Sequence, residues 1–521
     1  MNQYVLVEDV ISQMRGFCSG ELEDIDQLDK VFSKYMKNDD EYRKEQADYL
    51  IARGMTIVRL NVNRSYYYYL MMFLVQATKK KTIYKELLEH CINDDALTKE
   101  NKFFLYYQFM RYTFVTSDML DEEIEDLYDD LYNQIYLAYK KEVQEECVFI
   151  PRDERNENSV IVFTGQVLGM NHGPTKTLLD RCYMLEEYLK KKVYIINTAD
   201  VMSTYGIIPC FNTAIGNYDV GLKNINYLQY KDKQFGYFQC DNEMPKVSVI
   251  REIMKVVRSE RPYFILTIGG SNIASDLCSN IVSTIVVTLG PCNRTMTYGQ
   301  FQAIGRKVIE DDKRWMKKHS LHKDHIIESL FTSVFKEQTH QYSRQELGLP
   351  EDQFIAILVG GRLDEEIDSE CMDMLLHLME AGICVAFIGG LRAYSKYADE
   401  NEIFKKNSVN LGFQEDVLAV DECCDLYINP KRLGGGTSVA EALYKGLPAV
   451  TLDYGDVGVG AGSDFLVKDY EEMYKKVILY AQDKEFYEKM SKRARERAVE
   501  LMNSRSEFLK IIQKAEESDA F

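Results

Sequence analysis

Residues 429–448 read NPKRLGGGTSVAEALYKGLP, and they combine the residue types that hold a phosphate group. Two cations, Lys431 and Arg432, precede three successive glycines, and a helical pattern runs from about 437 to 446. Glycines leave backbone N–H groups bare, and a helix start adds partial positive charge, so the stretch can cradle an anion. Gly435 and Gly436 supply amides. Thr437 and Ser438 can cap the helix and offer hydroxyls to phosphate oxygens. Lys431 and Arg432 bring charge, and an arginine can grip phosphate with two parallel bonds. One turn along, Glu441 is aimed to accept a hydrogen bond from a ribose hydroxyl. A second cationic loop, GGRL at 360–363, ends an apolar run and contributes Arg362. The plainer possibility is a tight turn flanked by surface cations. The spacing is neither GxxxxGK(S/T) nor GxGxxG, which disfavours a nucleoside triphosphatase and a dehydrogenase.

Three further places invite chemistry. His172 lies in GQVLGMNHGPTKTLL (165–179), a glycine-bearing loop before a helix. Its imidazole suits a general base or a contact to phosphate, unless it is only a capping residue. Asp456 in GDVGVGAGSDF (455–465) follows a strand and either contacts ligand hydroxyls or closes a plain turn. His319 with HKDH at 322–325 suggests a metal cluster, but the flanking KRWMKKH opposes a bound cation. That stretch reads as a solvated helix or loop, and no metal site is expected.

The elements that must position these residues follow from composition. Residues 1–150 hold no proline and almost no glycine, and Leu127, Leu131, Ile135 and Tyr139 recur at helical spacing. This zone is expected to be an all-helical domain, its tyrosines serving as core filler. No tetratricopeptide-length repeat is evident. After Pro151 the pattern changes to short β-rich runs: SVIVFTG (159–165), KVYIINT (192–198), PYFILTIGG (262–270) and VSTIVVTLG (282–290). Amphipathic helical segments separate them, which predicts a parallel sheet covered on both faces. A polar, charged stretch from 310 to about 350 interrupts the series. A second set then begins with FIAILVGGRL (354–363), ICVAFIGG (383–390), SVNLGF (408–413), DLYIN (425–429) and LPAVTLD (447–453). The expected fold is α/β, with an all-α domain at 1–150 and two doubly wound, Rossmann-like domains at 151–340 and 341–521. Ligands then bind in the cleft at the carboxyl ends of the strands.

Bulk properties narrow the partners. The chain has 521 residues and a formal net charge of −19, which argues against a general nucleic-acid binder. Twelve cysteines without a CxxC pair, and no evident secretory leader, point to reduced thiols in the cytoplasm. The longest apolar run, YYYYLMMFLVQA (66–77), is too short to span a bilayer.

VGGRLDEE, VNLGFQEDVLAV and CDLYINPKRLGGGTSVAEALYKGLPAVTLDYGDV together resemble the nucleotide-sugar half of GT-B glycosyltransferases. RQELGLPEDQF (344–354) is similar to the segment that precedes that half. The resemblance covers about 345–500 well and 158–340 loosely. It implies that Arg362, Thr437 and Ser438 hold a donor diphosphate, that Glu441 holds the ribose, and that the loop around Phe413 and Gln414 flanks the base. It also implies no metal and no cofactor, since cations and a helix end neutralise the leaving diphosphate. Retaining members of the sucrose-synthase-like branch carry a glutamate eight residues before the one matching Glu441, and here that position is Leu433. The His172 loop looks like the GNHPTSH-type loop of O-GlcNAc transferases. A helical domain fused to GT-B is similar to those enzymes and to bacterial cytoplasmic adhesin glucosyltransferases. The expectation is transfer of a sugar, uridine-linked, to a protein, or else to a glycan or lipid-linked acceptor. A catalytically silent scaffold subunit would also fit such a fold, but its cationic loops and Glu441 would serve no purpose. A sugar-nucleotide epimerase of similar fold needs no such helical domain.

Overall fold

The computed structural model describes residues 5–21, 24–61, 63–169, 172–200, 207–211, 218–290, 294–335 and 337–521. Residues 170 and 171 of the His172 loop lie outside the described residues. Two compact units emerge. The first gathers Met1–Cys147, Thr198–Val220 and Gln239–Lys255, and the second gathers Val148–Asn197, Gly221–Phe238 and Val256–Phe521.

The first unit is built on helices, including Asp40–Asn61, Arg64–Thr78, Lys99–Val115 and Glu122–Glu142. Their apolar faces are rich in tyrosine, and Tyr35, Tyr68, Tyr84, Tyr132, Tyr136 and Tyr139 are fully buried. A buried phenol needs a partner for its hydroxyl. Tyr84 and Tyr128 meet hydroxyl to hydroxyl at 2.6 Å, and Tyr139 donates to the Pro245 carbonyl at 2.8 Å. The tyrosines are core, as their spacing suggested.

The second unit contains two sheets. Strands β1 (Asn156–Thr164), β2 (Lys192–Asn197), β3 (Tyr227–Tyr230), β4 (Lys233–Gln239), β5 (Pro262–Ile268), β6 (Thr284–Val287), β7 (Phe301–Ile304) and β8 (Ile326–Glu328) form one. Its order is β3-β4-β2-β1-β5-β6-β7-β8, parallel from β2 through β8, with β3 and β4 an antiparallel pair. Strands β9 (Ile355–Gly360), β10 (Cys384–Gly389), β11 (Ser408–Gly412), β12 (Leu426–Ile428), β13 (Ala449–Leu452) and β14 (Leu466–Val467) form the other. Its order is β11-β10-β9-β12-β13-β14, with all of these pairs parallel. The continuous apolar runs follow from burial on both faces: every residue of β5 is buried, as are the first four of β9. The chain is α/β with two Rossmann-like sheets.

Short strands escaped the sequence reading. β8 has only three residues, β14 two, and the β3-β4 hairpin runs through a polar stretch with no fully buried position in β3. The segment before β8 corrects another expectation. HKDH is not simply solvated, because His325 is buried beside Trp315, at 6.1 Å between ring centroids. Burial pushes its imidazole down to about 4, so it is neutral. His322, Asp324 and Asp519 do gather at the surface there.

The last helix, Ser504–Glu517, follows the second sheet in the chain but packs in the first sheet's core. Phe508, Ile511 and Ile512 join β1, β5 and β6 there, and the Phe521 carbonyl accepts from Arg155 at 3.2 Å and Ser283 at 2.8 Å.

Candidate functional site

A parallel sheet binds ligands where its strand order reverses, because adjacent crossovers leave to opposite faces and open a crevice. In the second sheet that point lies between β9 and β12. The loop after β9 is GGR, and the loop after β12 is the NPKRLGGG stretch. The two cationic glycine loops are therefore neighbours at the switch point. In the first sheet the order reverses between β1 and β5, and the loop after β1 leads through His172 into the helix Gly173–Glu187.

A cleft of about 550 Å³ is lined from both sheets. Of the residues singled out from sequence, Arg362, Phe413, Gln414, Arg432, Gly435, Gly436, Thr437, Ser438, Glu441 and Asp456 line it. Lys431 and His172 are not among its lining residues. Lys431 is exposed, with its ammonium 5.3 Å from the Tyr454 ring centre. His172 precedes the lining residues Gly173, Pro174, Lys176 and Thr177, and its Nδ1 lies 2.9 Å from the Thr175 hydroxyl. That hydroxyl also accepts from the Leu168 amide at 2.9 Å, so the ring is tied into the loop's own turn.

The glycine loop is supported from beneath by charge. Glu366, with a side chain only 3% exposed, takes Arg362 Nη2 on one oxygen and Arg432 Nη1 on the other, each at 2.8 Å. Arg432 is itself buried, and it donates further to the Val359 carbonyl at 2.7 Å and the Tyr427 hydroxyl at 3.3 Å. Two guanidiniums sharing one carboxylate leave a net positive charge under the loop. Glu366 was missed in the sequence, although its i, i+4 spacing from Arg362 was a usable signal.

The helix Gly436–Lys445 begins differently from the expectation. Its N-cap position is Gly435, at φ +98°, and no side chain caps it. Ser438 instead turns its hydroxyl back to the Gly435 carbonyl at 2.8 Å and meets the Tyr427 hydroxyl at 2.8 Å. The reason is positional: glycine occupies the cap, so Thr437 and Ser438 fall inside the first turn. The consequence is a helix start whose amides face the cleft without a side-chain acceptor at the cap.

The opposite wall brings residues that sequence reasoning did not find. Lys176 reaches Glu441 across the cleft, Nζ to Oε1 at 3.8 Å. Leu289 and the connecting segment with Phe331, Thr332, Ser333 and Val334 also line it, and a Cβ added at Gly290 would stand 3.3 Å from the Asp456 carboxylate. That connecting segment read as interruption because it has no periodic pattern. It is fastened by Asp416, which accepts from the Thr339 amide at 2.6 Å and the His340 amide at 2.9 Å. Burial pushes the Asp416 carboxyl up, yet these amide bonds outweigh it and hold it below the ordinary range. Asp421, at the other end of the short helix Val417–Asp421, is fully buried, and neither carboxylate oxygen has a hydrogen-bond partner among the described residues. Burial first, then the negative charge of Glu441, raises it well above the ordinary range. A cluster of cations and glycine-loop amides, with Glu441 beside them, at a switch point can hold a phosphorylated, hydroxyl-bearing ligand.

No family model matches the sequence, and no curated protein matches it. Among solved structures, the chain is similar to a mutant O-GlcNAc transferase from Thermobaculum terrenum at a TM-score of 0.49 and 11% identity, over 98% of this chain and 97% of that one. It is similar to a glycosyltransferase from Rickettsia africae ESF-5 at a TM-score of 0.49 and 11% identity, over 70% of this chain and 100% of that one. HepE of Anabaena, solved with UDP and glucose, aligns at a TM-score of 0.45 and 14% identity, over 69% of this chain and 98% of that one. Likenesses this distant decide neither family nor reaction.

Proposed function

We propose that this chain is a GT-B glycosyltransferase that moves a sugar from a nucleoside diphosphate, uridine-linked, to an acceptor, without a metal ion. The supporting observation is the pair of glycine loops at 360–362 and 432–436 meeting at the switch point, with Glu441 one turn inside the helix that the second loop opens. In this reading the Gly435 and Gly436 region, Thr437, Ser438 and Arg362 hold the diphosphate, Glu441 the ribose, and Phe413 and Gln414 the base. Asp456 contacts sugar hydroxyls. An acceptor oxygen or nitrogen bonds to the anomeric carbon while the bond from that carbon to the diphosphate oxygen breaks. The electron pair leaves with the diphosphate, whose charge the helix start and cations stabilise. The acceptor's proton passes to His172, whose ring the Thr175 contact orients. The helical unit is the acceptor-side module, a protein is the favoured acceptor, and the cytoplasm is the favoured location. Among the described residues no helix is long and apolar enough to cross a membrane.

The test is a panel of sugar nucleotides assayed for hydrolysis and transfer in excess chelator. A uridine-linked donor is turned over under these conditions, and His172→Ala lowers transfer by roughly 10²–10⁴ while nucleotide affinity stays within a few-fold. Complete loss on chelation, restored by manganese, rejects the metal-free mechanism. A wild-type chain that turns over no sugar nucleotide, yet binds a partner through residues 1–147, is a scaffold instead. A product that keeps the donor's configuration removes His172 as base and makes Leu433 no obstacle to retention.

A further inference from the structure

Resting on that reading, we propose that Lys176 is a diphosphate-binding cation supplied by the first sheet's side of the cleft, held by Glu441 until a nucleotide arrives. Lys176 stands in the first turn of the helix Gly173–Glu187, where the helix's own partial charge is positive and a cation is disfavoured. The residue is 8% exposed, and what it exposes lines the cleft. Among the described residues its close counter-charge is Glu441, at a separation too long for a hydrogen bond. An ammonium carries three donors, so it can turn to an acceptor that enters the cleft. The helix dipole opposes a lysine here, whereas the cleft needs one. Arg362 and Arg432 are half-neutralised by Glu366 and approach from the second sheet alone.

A nucleoside diphosphate gives this cation a counter-charge. Its ribose hydroxyls donate to Glu441 and replace the long ion pair. Its phosphate oxygens then accept from Lys176 on one wall, and from the amides at Gly435 and Gly436 on the other. The two contacts form together, so a ligand with ribose but no phosphate gains only the first.

Binding of uridine diphosphate and of uridine to the full chain, measured by calorimetry, separates these roles. Lys176→Met weakens uridine diphosphate by roughly 10- to 100-fold, the weight of a charge-assisted hydrogen bond. Its affinity for uridine is unchanged or higher, because the ion pair to Lys176 no longer competes for Glu441, and Lys176→Arg restores most of the diphosphate affinity. Glu441→Gln weakens both ligands. Should Lys176→Met not fold, Lys176→Gln carries the same comparison. Diphosphate affinity within about twofold of wild type overturns the proposal. So does an equal loss of both ligands, which marks Lys176 as mere support for the cleft wall. If the wild-type chain binds none of the uridine, guanosine and adenosine diphosphates, the nucleotide reading of the cleft falls along with the inference. Wild-type binding without a Lys176 effect defeats the inference alone.

Discussion

Asp416 and Asp421 bound one short helix beside the cleft, and their surroundings push their ionisation in opposite directions. Asp416 is held below its ordinary value of about 3.9, so its contribution to stability is complete above that value and is lost as pH falls toward the folded one. Asp421 is raised, so the folded state keeps a proton that the unfolded chain releases. Its effect on stability therefore worsens as pH rises above about 3.9. Asp421→Asn removes that ionisation. The variant melts higher than wild type at pH 7, and the gap closes toward pH 4, whereas Asp416→Asn melts lower at pH 7. Thermal melts between pH 4 and 8 check both signs, and a less stable Asp421→Asn at pH 7 contradicts the account. Locally, Asp416 takes the helix N-cap and accepts from the Ala419 amide at 3.2 Å. Asp416 is fed by amides about 77 positions away, and Asp421 is sealed by the helix that carries Glu441.

The glycine loop is a backbone device at the scale of an element. Gly435 sits at φ +98°, and a Cβ there would come within 2.7 Å of Arg432 Nη2 and Val457 Cγ2. Gly435→Ala is expected to cost about 1–3 kcal/mol in stability, the usual range for a strained backbone residue, and to weaken nucleotide binding. Gly361→Ala is the control, since a Cβ there meets nothing within 4 Å, and its stability stays within about 0.5 kcal/mol. Denaturant titration of both variants tests the contrast. Equal effects would mean that the loop's conformation does not matter. The loop was legible in sequence because three glycines between a β run and a helical run are rare. The uncapped helix start was not, because Thr437 and Ser438 are good capping residues until the structure places glycine at the cap.

On the scale of the whole second unit, the chain closes on itself. The helix Ser504–Glu517 completes the core of the first sheet after the second sheet has been built. Phe508→Ala opens a cavity in that core and is expected to cost about 3–5 kcal/mol. Hydrogen exchange should therefore quicken in β1 and β5 more than in β9 and β12. A uniform change, or one confined to the second sheet, would show that the last helix does not support the first. From composition, residues 341–521 looked like one domain with closing helices. The amphipathic pattern of 504–517 shows that a face must be buried, not which sheet buries it.

What the sequence alone determined is local. Helical spacing, continuous apolar runs and glycine-rich strand ends depend on neighbours a few residues apart, so the α/β alternation and the loops at 360–362 and 432–436 could be read directly. Short strands such as β8 and β14 carry too few residues for a period to register. Tertiary structure alone decided everything that depends on strand order. It set the two cationic loops side by side at the switch point, gave Glu366 to Arg432 as well as to its neighbour Arg362, and brought Lys176 to within 3.8 Å of Glu441, 265 positions later. A side chain's charge is fixed by its type, but its partner is chosen by the crossovers that bring distant strands together.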